Sequence, residues 1–411
     1  MTRDQSHFLM LNIGHFLDHL FMLIFATAVL SLGLNRDLTY GELLAYATPG
    51  FFAFGLFALP AGWLADWWNR DGMMVVFFVG VGLASIATGF AETPLQIGIG
   101  LFVIGIFAAI YHPVGLAIVT AKWKNTGMRI AVNGVWGNLG VASAALLTGY
   151  MIDNGGWRAA FFIPGAVSIG LGVLYFLLFR DWITAPKEPA PKKASTAKAD
   201  PHYKRLLIRV SAIVFLTTAV SSIIFQSTTF ALPKMFDERL RGMAVEVSAW
   251  LDGIVPGNVD VATMVGSLAF LVFAVASLAQ VAVGSSLDRF GPRRVFMTVA
   301  IIQIVFFSLM PGLQDGIAFA VALGFMLGAF GQIPINDYMI GKMAAGEFRA
   351  RIYGVRYVVS FSVLAVVLPL IGVVHDRWGF DTLFLILAAA AAVILAAVAC
   401  LPRQLPTPAT A

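Results

Sequence analysis

Four polar side chains crowd the first apolar run of this 411-residue chain: Asn12, His15, Asp18 and His19. At 100° per residue they fall within an arc of about 120°, so on a helix all four look to one side. Two imidazoles and a carboxylate on one face suit proton exchange, because histidine titrates near neutrality and an adjacent aspartate alters its hold on a proton. A buried hydrogen-bond network with no proton movement would use the same residues. His15 and His19 are also four apart, a spacing that brings two metal ligands together on a helix, but no third ligand is legible and no metal is expected. A further histidine stands in Tyr111-His112-Pro113. The proline frees a backbone carbonyl and bends its helix, which turns His112 toward a cavity. Asp18, His15, His19 and His112 are therefore the candidates for proton coupling.

Candidate solute contacts lie in other apolar runs. Gln332 and Asn336 flank Pro334 and share a helix face, while the neighbouring Asp337 is expected nearer the cytoplasmic end. Gln226 and Thr229 precede Pro233 in a run that reads as a broken outer segment. Trp136 and Asn138 lie beside a stripe of Asn133, Gly137, Gly140 and Ala144, whose small residues predict close packing between two parts of the molecule. Arg356 sits just inside an apolar run. It would either grip an anion through its planar fork or snorkel to the surface, and both readings stay open. Asn12 and Tyr111 complete the solute-binding set.

These residues must be held by membrane-crossing helices. The chain is 59% hydrophobic and 12% charged, which excludes an ordinary soluble enzyme, and its 34 Phe and 40 Gly are spread over long uncharged runs. Apolar runs of crossing length fall at 8–31, 43–64, 72–91, 95–119, 130–152, 160–179, 207–232, 263–284, 294–311, 315–338, 352–374 and 380–401. Each approaches the ~20 residues that a bilayer core requires. With both termini in the cytoplasm, 20 of the 27 Lys and Arg collect on the inner side, the orientation the positive-inside rule favours. The first run, lacking a cleavage site, reads as a retained span. The single Cys400 excludes an internal disulfide, and no redox or cysteine-ligand chemistry is implied. The expected organisation is a first bundle over 1–180, a Pro- and Lys-rich cytoplasmic linker over 181–206, a second bundle over 207–403 and a disordered cytoplasmic tail over 404–411. The loop at 233–262 is expected outside, as an amphipathic stretch, a short lid or a plain connection.

The two bundles echo one another. Gly62-Trp-Leu-Ala-Asp66 is matched by Gly284-Ser-Ser-Leu-Asp288, Pro113 by Pro334, Arg129-Ile130 by Arg351-Ile352 and Asp153 by Asp376, all at offsets of 221–223. An ordered set at nearly constant offset argues for duplication of a six-helix unit. Two such units around a central cavity can open it to either side in turn, which is how a carrier works.

The stretches GWLADWWNR and GSSLDRFGPRR resemble the G-x-L-x-D-x-x-G-R-R loop signature of the major facilitator superfamily, with Asn69 and Asp71 departing from it in the first copy and Pro292 inserted in the second. The resemblance implies an all-α membrane protein of twelve transmembrane helices in two pseudo-symmetric six-helix bundles. It also implies gating charges at the cytoplasmic helix ends: Asp66 beside Arg70 would meet Arg349 or Arg351, and Asp288 beside Arg293 would meet Arg129. The Asn-x-x-His-x-x-x-His run, Tyr111-His112-Pro113 and Asn133-Gly-Val-Trp-Gly-Asn-Leu-Gly140 are most similar to the fosmidomycin-resistance branch, whose members are proton-driven drug exporters.

The expected function is a proton-coupled secondary transporter in a bacterial-type inner membrane. It moves a small organic solute, an anion among the candidates, by alternating access. Antiport export is favoured by the branch resemblance alone; symport import would use the same cavity. A channel would want a continuous polar lining, and a sensor an appended soluble domain. No nucleophile with its base or phosphate-binding loop points to an enzyme. The partners expected are the solute, protons and lipid, with no nucleic acid and no cofactor beyond the proton gradient. A monomer suffices.

Overall fold

The structure, a computed structural model, describes residues 1–34, 38–123, 126–184, 201–251, 260–343 and 346–402; within these, the side chains at 33–34, 126–127, 131, 201–207, 251, 341–343, 346–358, 361–362 and 364–365 lie outside the described residues. Among the described residues every regular element is an α-helix. In chain order they are α1 (Arg3–Leu34), α2 (Tyr40–Ala45), α3 (Thr48–Trp67), α4 (Arg70–Gly89), α5 (Pro94–Ala108), α6 (Tyr111–Lys122), α7 (Thr126–Thr184), α8 (Pro201–Arg239), α9 (Arg241–Leu251), α10 (Val261–Phe290), α11 (Pro292–Leu309), α12 (Asp315–Gly331), α13 (Ile333–Met343) and α14 (Gly346–Ala399). Ten stretches among them are long and apolar enough to cross a membrane. The chain is thus an all-α, multi-pass membrane protein.

Local chemistry explains the boundaries. Thr39 and Thr93 each close a capping box, with Glu42 and Gln96 returning the bond, and Asn69 caps α4 through Gly72 N–H. An unbroken α7 of 59 residues would be about 90 Å long, about three times the hydrocarbon thickness. It turns at Gly156, where φ is 72°, and α14 turns in the same way at Gly379, where φ is 73°. Only glycine adopts that backbone without a Cβ penalty. The two glycines stand 223 positions apart, the offset already seen for Asp153 and Asp376. The repeat also shows in the interruptions before Pro113 and Pro334, where α5 gives way to α6 and α12 to α13.

Three expectations change. The helices run to Thr184 and resume at Pro201, so less of 181–206 is left for a linker, and 185–200 lie outside the described residues, as does the tail over 404–411. Helix α8 continues through Pro233, and ahead of it the Thr228 and Thr229 hydroxyls bond back to the carbonyls of Ile224 and Phe225. The stripe on α7 packs within the first half, not between halves: a Cβ at Gly137 would stand 2.6 Å from His15 Nε2, and one at Gly140 would strike the Phe16 carbonyl on α1. Close contacts between halves are made further along α7, where Gly149 and Ala145 meet Ala262 and Gly266 of α10, and where Gly41 of α2 meets Gly372 of α14. Of the 233–262 loop, α9 supplies a short helix, and 252–259 lie outside the described residues.

Candidate functional site

A cavity of about 320 Å³ lies where α1, α6 and α7 face α8, α10, α13, α14 and the break at Gln332 between α12 and α13. Its first-half wall carries His15, His19, His112, Asn133 and Asn138; its second-half wall carries Thr218, Ser221, Ser222, Gln226, Gln280, Gln332, Asn336, Asp337 and Ser360. Seven of the sequence-derived candidates therefore reach it: His15, His19, His112, Asn138, Gln226, Gln332 and Asn336.

The three imidazoles form one cluster. Ring centroids lie 5.0 Å apart for His15 and His19, 5.2 Å for His15 and His112, and 5.5 Å for His19 and His112. His15 Nδ1 lies 2.7 Å from the Asn133 carbonyl oxygen. A carbonyl can only accept, so Nδ1 carries the hydrogen and the ring of a neutral His15 offers its lone pair at Nε2. Tyr111 stacks on His15 at 4.8 Å and donates its hydroxyl hydrogen to the Leu11 carbonyl. Asp18 has no exposed surface; its Oδ2 lies 3.3 Å from His112 Nε2, so it stands behind the cavity wall and reaches the cavity through that ring.

Asn12 and Tyr111 do not line the cavity. The Asn133 amide donates to Asn12 Oδ1 and to the Tyr111 hydroxyl, at 2.9 and 2.8 Å, so both are absorbed into the frame that holds the imidazoles. Asn133, expected only to pack, both builds that frame and lines the cavity. Thr229 is also withdrawn, its hydroxyl spent on its own helix, and Trp136 is not among the lining residues. Asp337 also lines the cavity. The Arg356 side chain lies outside the described residues, as do those of Arg349 and Arg351.

Sequence reading missed two amides of the second half, Gln280 and Gln303. Gln303 donates to Gln332 Oε1, Gln332 donates to the Ser221 carbonyl, and the Thr217 hydroxyl donates to Asn336 Oδ1. Gln280 donates to Asn138 Oδ1 at 3.4 Å, bridging the halves. The available signal was a single amide in each of two otherwise apolar runs.

At the face carrying the termini, Asp66 at the end of α3 pairs with Arg70 at the start of α4, Arg129 lies over the Phe8 ring and Arg293 donates to the Ala399 carbonyl. Asp288 is exposed. The expected meeting of Asp288 with Arg129 is absent here. Among the described residues none of these gating candidates bonds across the halves. At the opposite face the halves are joined. Asp153, at the end of one α7 segment, accepts from Thr263 N–H and Oγ1 and from Asp260 N–H at the start of α10. Asp376 of α14 accepts from Thr39 Oγ1 and Gly41 N–H at the start of α2. His375 ties Asp376 to Glu238 of α8 at 3.0 and 2.9 Å.

Comparison with known proteins agrees with this architecture. Residues 11–257 and 258–411 match the family described as Major Facilitator Superfamily. Multidrug resistance protein MdtG of Escherichia coli (strain SMS-3-5 / SECEC) is 24% identical over 344 residues, 82% of this chain and 79% of that protein. The "Probable hexose phosphate transport protein" of Chlamydia pneumoniae is 27% identical over 156 residues, 37% of this chain and 33% of that protein. Among solved structures, that of a D-xylose-proton symporter superposes with a TM-score of 0.72 at 13% identity, covering 98% of this chain and 99% of that one. These matches single out no branch, so the fosmidomycin-resistance assignment gives way to the superfamily.

Proposed function

The chain belongs to the Major Facilitator Superfamily, and from that premise we propose that it is a proton-coupled carrier that moves a small polar organic solute by alternating access. Membership makes it a transporter and not an enzyme. The architecture proposed is twelve crossings in two six-helix bundles over 1–180 and 207–403. The ten apolar stretches become twelve when α7 is divided at Gly156 and α14 at Gly379. Both termini are assigned to the cytoplasm on the distribution of Lys and Arg.

One observation carries the coupling: three imidazoles and the carboxylate behind them stand on the wall of the cavity between the halves. A proton on this cluster and a solute against the facing amides then share one space. Amides and hydroxyls suit a solute rich in hydrogen-bonding groups, and a proton added to the imidazoles would favour an anion. Support for an anionic solute comes also from the Chlamydia pneumoniae relative, whose name specifies a hexose phosphate. Symport is the direction favoured over export, because the superposed solved structure is that of a proton symporter, whereas export rested on the branch resemblance. Cross-half bonds at the face away from the termini, with none among the described gating candidates at the terminal face, support assigning this state as the one open toward the cytoplasm.

The test is accumulation of radiolabelled solutes, sugar phosphates included, in proteoliposomes under an imposed pH gradient. Asp18→Asn is expected to abolish proton-driven accumulation while retaining solute exchange. Undiminished accumulation in that variant would remove the cluster from the coupling mechanism.

A further inference from the structure

The cluster has a property that proton exchange does not require. One ring nitrogen from each of His15, His19 and His112 lies within 4.8 Å of the other two. His15 Nε2 is buried and has no hydrogen-bond partner, while its Nδ1 is held on the Asn133 carbonyl. His112 turns Nε2 to Asp18, so its coordinating atom would be Nδ1. A carbonyl on one ligand histidine and a carboxylate on another are the outer-shell partners that fix tautomer and orientation in metal centres.

We infer that His15, His19 and His112, backed by Asp18, form a site for a divalent transition-metal ion of the zinc, cobalt or nickel kind. Imidazole suits these ions, and three protein nitrogens leave a fourth position open to the cavity for water or for an oxygen of the solute. Metal–nitrogen bonds of about 2.1 Å place tetrahedral ligands about 3.4 Å apart, so binding draws the rings inward by about an ångström or more. His19 and His112, both partly exposed to the cavity, have room to make that movement. The His15 ring is fixed by the Tyr111 stack and by Gly137, where any side chain would collide with Nε2. This inference rests on the proposed transport cavity as the ion's route in. The ion would occupy the nitrogens that the coupling reading gives to protons.

The experiment is a Co²⁺ titration of the purified, tag-free full chain, read by the visible absorption of the bound ion, followed by displacement with Zn²⁺. One Co²⁺ per chain is expected, displaced by Zn²⁺. His19→Gln and His112→Gln should each abolish the spectrum. Asp18→Asn, which removes only the orienting carboxylate, should weaken binding by about 10- to 100-fold. His375→Gln, outside the cluster, should leave it intact. No Co²⁺ spectrum, or one that survives both cavity substitutions, would overturn the metal site. If in that case Asp18→Asn still abolished proton-driven uptake, the proton-coupled reading would stand alone; Co²⁺ binding by a chain whose uptake no pH gradient drives would uphold the metal site and remove the proton-coupled reading.

Discussion

The two faces of the molecule are built from related sequence, but among the described residues only one of them has its halves bonded together. Away from the termini, Asp153 and Asp376 occupy equivalent places in the repeat, and each crosses to the other half to cap the start of a helix. A carboxylate at a helix N-terminus meets both unsatisfied N–H groups and the positive end of the helix dipole. At the terminal face the described charges bond within their own half, as Asp66 does with Arg70 and Arg3 with Asp181. Carboxylates near helix ends occur at both faces, so what marks a closed gate is a carboxylate that finds its partner across the halves.

The largest effect expected from breaking this contrast is in the double substitution Asp153→Ala, Asp376→Ala. Each cap contributes about 1 kcal/mol, so together they should shift the balance between closed and open forms of that face by about 30-fold. Distances between spin labels placed across the face would measure it, and an unchanged distribution would show that the caps do not hold the halves together. His375→Gln should produce a smaller shift, about fivefold, because Asp376 keeps its bonds to Thr39 and Gly41 while the link to Glu238 is lost. Asp66→Asn should matter least in this state. Its side chain is 66% exposed in a pair that spans the α3–α4 junction, and such an exposed pair contributes under about 1 kcal/mol. Slower cycling without loss of solute affinity would place its role in the alternative state, where the terminal face closes; a loss of affinity would contradict a gating role.

Much of the architecture was legible in the sequence because hydropathy reports directly on the surrounding solvent. Gly156 and Gly379 were not recognised as turning points, since a glycine in a run rich in glycine carries no mark of its φ. In the cavity, the histidines were legible because ionisable groups are costly in lipid and must face something polar. Depth was not. Asn12 and His15 share a helix face, yet His15 reaches the cavity and Asn12 is consumed by Asn133. A helical wheel gives direction around an axis, and only the neighbouring helix decides whether that direction ends in space or in a partner. Gln280 and Gln303 were missed for a related reason: an isolated amide has no spacing to betray it, although a buried one such as Gln303 demands a partner.

The meeting of Gly149 and Ala145 with Ala262 and Gly266 brings main chain against main chain. Almost no side chain there must change rotamer when one half rolls over the other. The contact can therefore act as a bearing: a place of low friction about which large displacements at both rims cost little repacking. A single added methyl at either glycine would act as grit in it.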